Sequence, residues 1–94
     1  MRSTKTLAGQ LSDEVLMTRI VQGDVAALET LYDRHAPMIL GIALKLTGNQ
    51  SLAEKVLQET FWQVWQGAAT YQQGSLMGWL FKTARSLALE ANGR

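Results

Sequence analysis

The sequence predicts an all-α protein, a compact bundle of three main helices plus a short N-terminal helix. A single proline occurs in the 94 residues, and alanine, leucine, glutamine and glutamate, which favour helices, are abundant. Apolar residues recur with helical periodicity over four segments. The length suffices for one small domain with a single core.

The amino-acid composition of the chain excludes several classes of function. The absence of cysteine excludes disulfides and thiolate metal sites and fits a reducing compartment, so the expected location is cytoplasmic. The net charge of +1, with 18% of residues charged, is not that of a protein that coats duplex DNA non-specifically. No segment has the apolar length of a membrane span, and the N-terminus lacks the apolar core of a signal peptide, so no membrane partner is expected.

The chain begins with a polar stretch, residues 1–10, that we predict to be a flexible N-terminal arm, and residues 11–94 form the predicted helical domain. The first helix starts at Ser12, a favourable N-cap, and Asp13 and Glu14 complement its dipole. Gly23 ends it. Its apolar side carries Leu16 and Ile20.

The second helix is the longest predicted element. Asp24 caps its start, and the segment Thr47–Gln50 stops it. Because Pro37 lies in the middle, we expect a kink there or a break at Ala36. The apolar face consists of Ala27, Leu28, Leu31, His35, Met38, Ile39, Ile42 and Leu46.

Two further amphipathic helices follow, separated by the loop-like stretch GAATYQQGS. The third starts near Ser51 and runs to about Ala68, and Ser75 caps the fourth. The core-facing arc of the third contains Leu52, Val56, Leu57, Thr60, Phe61, Val64 and Ala68. That of the fourth contains Leu76, Leu80, Ala84, Leu87, Ala88 and Ala91.

An enzyme is not expected from this sequence, and neither a metal nor another cofactor is predicted. The only histidine, His35, lies on the apolar face of the second helix, where it is either a base or ligand, or a semi-buried side chain bonded to a neighbour. The second interpretation is favoured, because a metal site needs three or four convergent ligands. The glycines at 67, 74 and 78 lack the lysine and hydroxyl spacing of a phosphate-binding loop.

The third helix carries an unusual residue on its polar arc, which contains Lys55, Gln58, Glu59, Trp62 and Gln66. A tryptophan near the middle of a polar arc is typical of an interface. It is equally compatible with packing of Trp62 under the N-terminal arm or against the first helix.

A second surface combines aromatic and basic residues. On the fourth helix Trp79, Lys82, Ser86 and Leu89 lie on the side away from the core, Arg85 borders them, and Tyr71 precedes the helix. Interleaved rings and cations are typical of single-stranded nucleic-acid binding. Taken alone, these residues are also explained by a core-edge tryptophan and a solvated charged face, which is the more frequent case.

The segments GDVAALETLYDRHAP, ALKLTGNQSLAEKVLQETFWQVW and GWLFKTARSLALE together resemble region 2 of the extracytoplasmic-function sigma factors of bacterial RNA polymerase. The resemblance runs from about Leu11 to Asn92, with the segments in the family's order and spacing. AEKVLQETFWQVW and WLFKTAR are the most specific parts. The resemblance implies an all-α domain of three principal helices plus a shorter one.

The resemblance also implies tasks for the two surfaces. Gln58, Glu59 and Trp62 would meet the clamp helices of the polymerase β′ subunit. The loop from Tyr71 to Ser75 and the start of the fourth helix would hold a base flipped from the non-template strand of the minus-ten promoter element, without covalent chemistry. Lys82 and Arg85 would lie along the phosphates.

Three positions depart from the pattern of that family. Lys55 stands where an aspartate is usual, and this reversal disfavours a basic partner. Ser86 replaces an asparagine that helps to read the captured base, and serine lacks the paired donor and acceptor of an amide. Glu90 replaces an aspartate, which is a milder change.

Region 4, the helix-turn-helix domain that reads the upstream promoter element, is missing from the sequence. The chain ends where a linker would begin, which favours a fragment over a one-domain relative. A competing hypothesis is an interaction module that binds an anti-sigma factor or another regulator through the same faces, and Lys55 and Ser86 favour it. A small helix-turn-helix protein fits less well, since no short turn joins a recognition helix to its partner.

Overall fold

The computed structural model describes residues 10–71 and 74–93, and within them the chain forms four α-helices, one 3-10 turn and no strand. The predicted all-α bundle of three main helices plus a short N-terminal one is thereby confirmed. Residues 1–9 of the predicted arm, and residues 72, 73 and 94, lie outside the described residues. The elements are α1 (Asp13–Val21), α2 (Val25–Thr47), α3 (Gln50–Gly67), the 3-10 turn (Ala68–Thr70) and α4 (Leu76–Asn92).

The helix starts follow the caps predicted from the sequence. The side chains of Ser12, Asp24 and Ser75 each accept a hydrogen bond from a backbone N–H three residues later, at 3.2, 3.2 and 2.9 Å. α3 begins at Gln50, slightly earlier than predicted, because the Asn49 side chain accepts from the Leu52 N–H at 3.0 Å. Gly48 adopts φ +64° and ends α2, a conformation that glycine takes without steric cost.

The long helix α2 continues through Pro37 from Val25 to Thr47. The break considered at Ala36 is therefore wrong. Proline removes one N–H donor and crowds the preceding turn, here the carbonyl of Asp33. The helix is held on both sides of this point by the buried side chains of Leu31 and Ile39, and this packing offsets the local cost.

The core lies around α2, which packs against α1, α3 and α4. Many of the buried positions are alanine, which lets helix axes approach closely. The fully or almost fully buried side chains include Leu16, Ala27, Leu31, Ile39, Ala43, Ala53, Val64, Leu80, Ala84 and Ala88. Leu28, Met38 and Leu46, predicted on the same face of α2, are only partly buried and pack against this core.

The histidine and the first turn of α1 form a polar contact between α1 and α2. His35 is 8% exposed, and its Nε2 lies 2.9 Å from Oδ2 of Asp13. Arg34 donates to Oδ1 of the same carboxylate at 2.7 Å. The interpretation of His35 as a semi-buried, bonded residue is confirmed, and Asp13 anchors α1 as well as complementing its dipole.

Neither a membrane-spanning helix nor a cluster of metal ligands is found in the described part of the chain. No helix there is both long enough and apolar enough to cross a lipid bilayer. Over the same residues, no three histidine, aspartate or glutamate side chains converge as metal ligands.

Candidate functional site

α3 packs against both α2 and α4, and surface grooves lie where it meets each of them. The groove on the α2 side, called here the Trp62 groove, has a volume of about 470 Å³. Val25, Leu28, Glu29, Tyr32 and Asp33 of α2 and Gln58, Phe61, Trp62 and Trp65 of α3 line it. Its floor is largely aromatic, since Tyr32 and Phe61 meet edge to face with ring centroids 5.0 Å apart.

Trp62 is the most exposed large ring in the described residues, with 58% of its surface accessible. The alternative that it packs against the first helix is therefore wrong, whereas packing under the N-terminal arm involves residues 1–9, which lie outside the described residues, and stays untested. Val25 is exposed to a similar extent in the same groove, at 57%. Two large apolar side chains thus stand open to solvent next to the carboxylate of Glu29, a combination typical of a binding surface.

The five residues of the predicted polar arc of α3, taken together as the candidate polymerase-binding residues, do not share one surface. Gln58 and Trp62 line the Trp62 groove, whereas Lys55 and Glu59 line a second groove between α3 and α4, called here the Lys55 groove, of about 300 Å³. Gln66 is exposed one turn beyond Trp62 and lines neither. The remaining lining of the Lys55 groove is Leu52, Val56, Leu87, Glu90 and Ala91.

The aromatic residues of the second predicted surface form a pair. The rings of Tyr71 and Trp79 stack with centroids 5.6 Å apart and an interplanar angle of 21°. Both are partly buried and pack against the core, so the expectation that Trp79 lies on the side away from the core is wrong. The Tyr71 hydroxyl donates to the carbonyl of Gly74 at 3.2 Å, which ties the stack to the residue after the undescribed positions 72 and 73.

Three of the predicted DNA-facing residues share a third groove. Trp79, Lys82 and Ser86 line a space of about 360 Å³ between α3 and α4, called here the Lys82 groove. The other lining residues are Gln63, Thr83, Leu87 and Glu90. The groove combines one cation, one carboxylate, several uncharged hydrogen-bonding groups and the edge of an aromatic pair, and a base with its phosphate on the side of the cation would suit it.

Ser75 and Arg85 occupy other positions. The Ser75 hydroxyl accepts from the Gly78 N–H at 2.9 Å and so caps α4. Arg85 is exposed on α4 but does not line the Lys82 groove. Ser75 thus shapes the start of α4, and Arg85 offers a positive charge outside the groove.

Sequence reasoning missed the contributions made by neighbouring helices. Val25, Glu29 and Asp33 complete the Trp62 groove from α2, and Gln63 of α3 completes the Lys82 groove, to which α4 itself adds the unpredicted Thr83. The one signal available in advance was the spacing of Glu29 and Asp33, which puts two carboxylates on one face of a helix beside an apolar stripe.

Comparison with known proteins identifies relatives of the chain. The family model described as Sigma-70 region 2 matches residues 31–92. The extracytoplasmic-function RNA polymerase sigma factor SigE of Mycolicibacterium smegmatis is 37% identical over 84 residues, covering 84% of this chain and 33% of the relative. The RNA polymerase sigma factor CarQ of Myxococcus xanthus is 36% identical over 76 residues, covering 80% of this chain and 44% of the relative. The chain thus spans between a third and a half of the length of these curated relatives.

A solved structure shares the fold. It is the NMR structure of an engineered region 2 of sigmaE in complex with GTAAAA, with a TM-score of 0.79 and 26% sequence identity. The alignment covers 90% of this chain and 93% of that one.

Proposed function

Because the chain belongs to the sigma-70 region 2 family, and within it resembles the extracytoplasmic-function sigma factors, we propose that it acts in transcription initiation through two partners. One is the clamp-helix coiled coil of the RNA polymerase β′ subunit. The other is the unpaired non-template strand of the minus-ten promoter element. The prediction that the chain is not an enzyme agrees with this family, whose members act by binding.

The observation that carries the proposal is the pair of chemically different surfaces beside α3. The Trp62 groove is apolar, aromatic and bordered by Glu29 and Asp33. Such a groove accepts the apolar face of a helix that also carries basic side chains. We assign it to the β′ coiled coil, with Trp62 as the anchor and Gln58 as a polar contact at the rim.

The Lys82 groove supports the second half of the proposal. The groove contains a cation and hydroxyl groups, and the Tyr71–Trp79 stack is adjacent to it. These groups can bind a single strand, because its phosphates are attracted to positive charge and its bases bind polar and aromatic surfaces. The solved neighbour with the same fold is a complex with GTAAAA, which makes that oligonucleotide the appropriate first ligand.

The test is a pair of fluorescence titrations of the 94-residue chain, one with the isolated β′ clamp-helix fragment and one with GTAAAA. Trp62 and Trp65 line one groove and Trp79 lines another, so replacing Trp62 and Trp65 together with phenylalanine should remove most of the response to the fragment, and Trp79→Phe most of the response to DNA. If neither ligand changes the emission, and neither binds by calorimetry, the proposed function is wrong.

An alternative function is an interaction module for an anti-sigma factor or another regulator. The observation that favours it is Lys55, an exposed cation in the Lys55 groove beside the proposed polymerase surface. A chain of this kind would bind the regulator while failing both titrations, so the same experiment separates the two functions.

Lys55→Asp is expected to strengthen binding of the clamp-helix fragment by about threefold to tenfold at low salt, because it replaces a cation with an anion beside the groove assigned to a basic partner. Glu59 and Glu90 line the same groove, so the variant completes a local negative surface. Isothermal titration at two salt concentrations measures the effect. Lys45→Asp, an equal charge change at an exposed position of α2 outside all three grooves, is the matched control. No gain, or a gain equal to that of Lys45→Asp, would contradict the assignment of Lys55 as an unfavourable contact.

Lys82→Ala is expected to weaken GTAAAA binding and to reduce the slope of log affinity against log salt by about 0.7, the value for one phosphate contact on a single strand. Fluorescence anisotropy over a salt series gives the slope. Lys45→Ala removes the same charge from a distant exposed position and should leave the slope unchanged. An unaltered slope in Lys82→Ala would show that Lys82 is a solvated surface residue that contacts no phosphate.

A further inference from the structure

The Lys82 groove receives one side chain from α3 that the proposed function does not yet use. Gln63 faces α4 across the groove, and the other lining residues come from α4 itself. Gln63 is exposed. Within residues 10–71 and 74–93, no hydrogen bond engages its amide. The groove therefore presents an amide donor and acceptor in one plane, with no described partner.

Charge determines how a nucleotide can lie in this groove. Lys82 and Glu90 both line the groove from α4, about two helical turns apart. A phosphate is attracted to Lys82 and repelled by Glu90, so the backbone of a bound strand passes on the Lys82 side. The base then points inward, toward the hydroxyl groups of Thr83 and Ser86 and the amide of Gln63. The groove volume of about 360 Å³ lies in the lower part of the range of small-ligand sites, roughly 300–1,000 Å³.

The amide group selects among bases. A glutamine side chain pairs bidentately with adenine, accepting from N6 and donating to N7. The hydroxyls of Thr83 and Ser86 accept or donate according to the partner and discriminate little. Gln63 is thus the lining residue with the geometry to distinguish one base from another.

We propose that Gln63 is a specificity-determining residue that reads the N6 and N7 edge of an adenine held in the Lys82 groove. This inference rests on the proposed binding of the promoter strand. It adds the residue that recognises a base, Gln63, and the base that is recognised, adenine. It also places base reading on α3, outside the Tyr71–Ser75 loop and the face of α4.

The test compares GTAAAA with the same oligonucleotide in which every adenine is replaced by 7-deazaadenine, which lacks the N7 acceptor and keeps the N6 amino group. The 94-residue chain should bind the modified strand about fivefold more weakly, the size of one hydrogen bond, because the N6 amino group still donates to the Gln63 amide oxygen. Gln63→Ala, which loses the hydrogen bonds to both N6 and N7, should bind both strands equally and no more tightly than the unmodified protein binds the 7-deaza strand. Anisotropy at a fixed low salt concentration gives the four affinities.

Gln50→Ala is the matched control, since Gln50 is an exposed glutamine of the same helix whose amide donates locally to Glu54 at 3.0 Å. It should keep the full preference for unmodified adenine. If the unmodified protein binds both strands equally, or Gln63→Ala retains the preference, the role of Gln63 is wrong while promoter-strand binding stands. If the unmodified protein does not bind GTAAAA at all, the proposed function fails and this inference fails with it.

Discussion

Trp62→Ala is expected to weaken binding of the β′ clamp-helix fragment by about 30-fold or more, which corresponds to the 2 kcal/mol or more lost at an interface hot spot. The indole is 58% exposed in the free chain and stands in an apolar groove. Binding would remove this surface from water, while the free protein gains little from it. The measurement is isothermal titration of the fragment into the unmodified and substituted chains.

The control for this substitution uses another exposed apolar residue. Leu89 is 44% exposed on α4 and lies outside the Trp62 groove, so Leu89→Ala should leave fragment affinity within about twofold of the original. Urea denaturation should show that Trp62→Ala unfolds with nearly the same free energy as the unmodified chain, because few contacts of the free protein are lost. Retained affinity in Trp62→Ala would contradict the assignment of the groove to the polymerase.

The helix starts were predictable because each depends on chemistry within one turn. Ser12, Asp24 and Ser75 cap helices through side-chain oxygens that bind an N–H three residues later. The continuity of α2 was not predictable from such local rules. Pro37 has a local cost, and it is the packing of Leu31 and Ile39 on either side that offsets this cost.

Most of the buried residues were predictable from apolar periodicity, including the small residues Ala27, Ala68, Ala84 and Ala88. Apolar periodicity weights leucine, isoleucine and phenylalanine, and so it identified Leu31, Ile39 and Leu80. It passed over Thr30 of α2, which is buried because α2 contacts three other helices and its hydroxyl bonds the Ala26 carbonyl at 3.0 Å. It also passed over Ala43 and Ala53, which are buried where helices approach closely.

The candidate site was likewise predictable within one helix but not between helices. A helical wheel groups Lys55, Gln58, Glu59 and Trp62 on one arc, but it contains no information about the helices on either side. With α2 on one flank and α4 on the other, the arc divides between the Trp62 groove and the Lys55 groove. The α2 residues that complete the first are distant in sequence, so only the packing brings them to it.

Trp79→Ala is expected to reduce the affinity for GTAAAA by about tenfold or more and to lower the free energy of unfolding by about 2 kcal/mol. The loss of stability follows from partial burial of the ring against the core and from its stack on Tyr71. The loss of affinity follows because Trp79 lines the Lys82 groove and its stack holds Tyr71 and the adjoining loop. Anisotropy with GTAAAA and urea denaturation measure the two effects.

Two tyrosine variants separate the aromatic stack from general destabilisation. Tyr71→Phe keeps the ring and loses only the hydroxyl that donates to Gly74, so it should bind GTAAAA nearly as well as the unmodified chain. Tyr71→Ala removes the partner of Trp79, and combining it with Trp79→Ala should weaken binding by less than the product of the two single effects, because both variants break one stack. If Trp79→Ala, kept below its unfolding transition, binds GTAAAA with full affinity, the aromatic pair has no part in holding the strand. Binding must then depend on Lys82 and the polar wall of the groove.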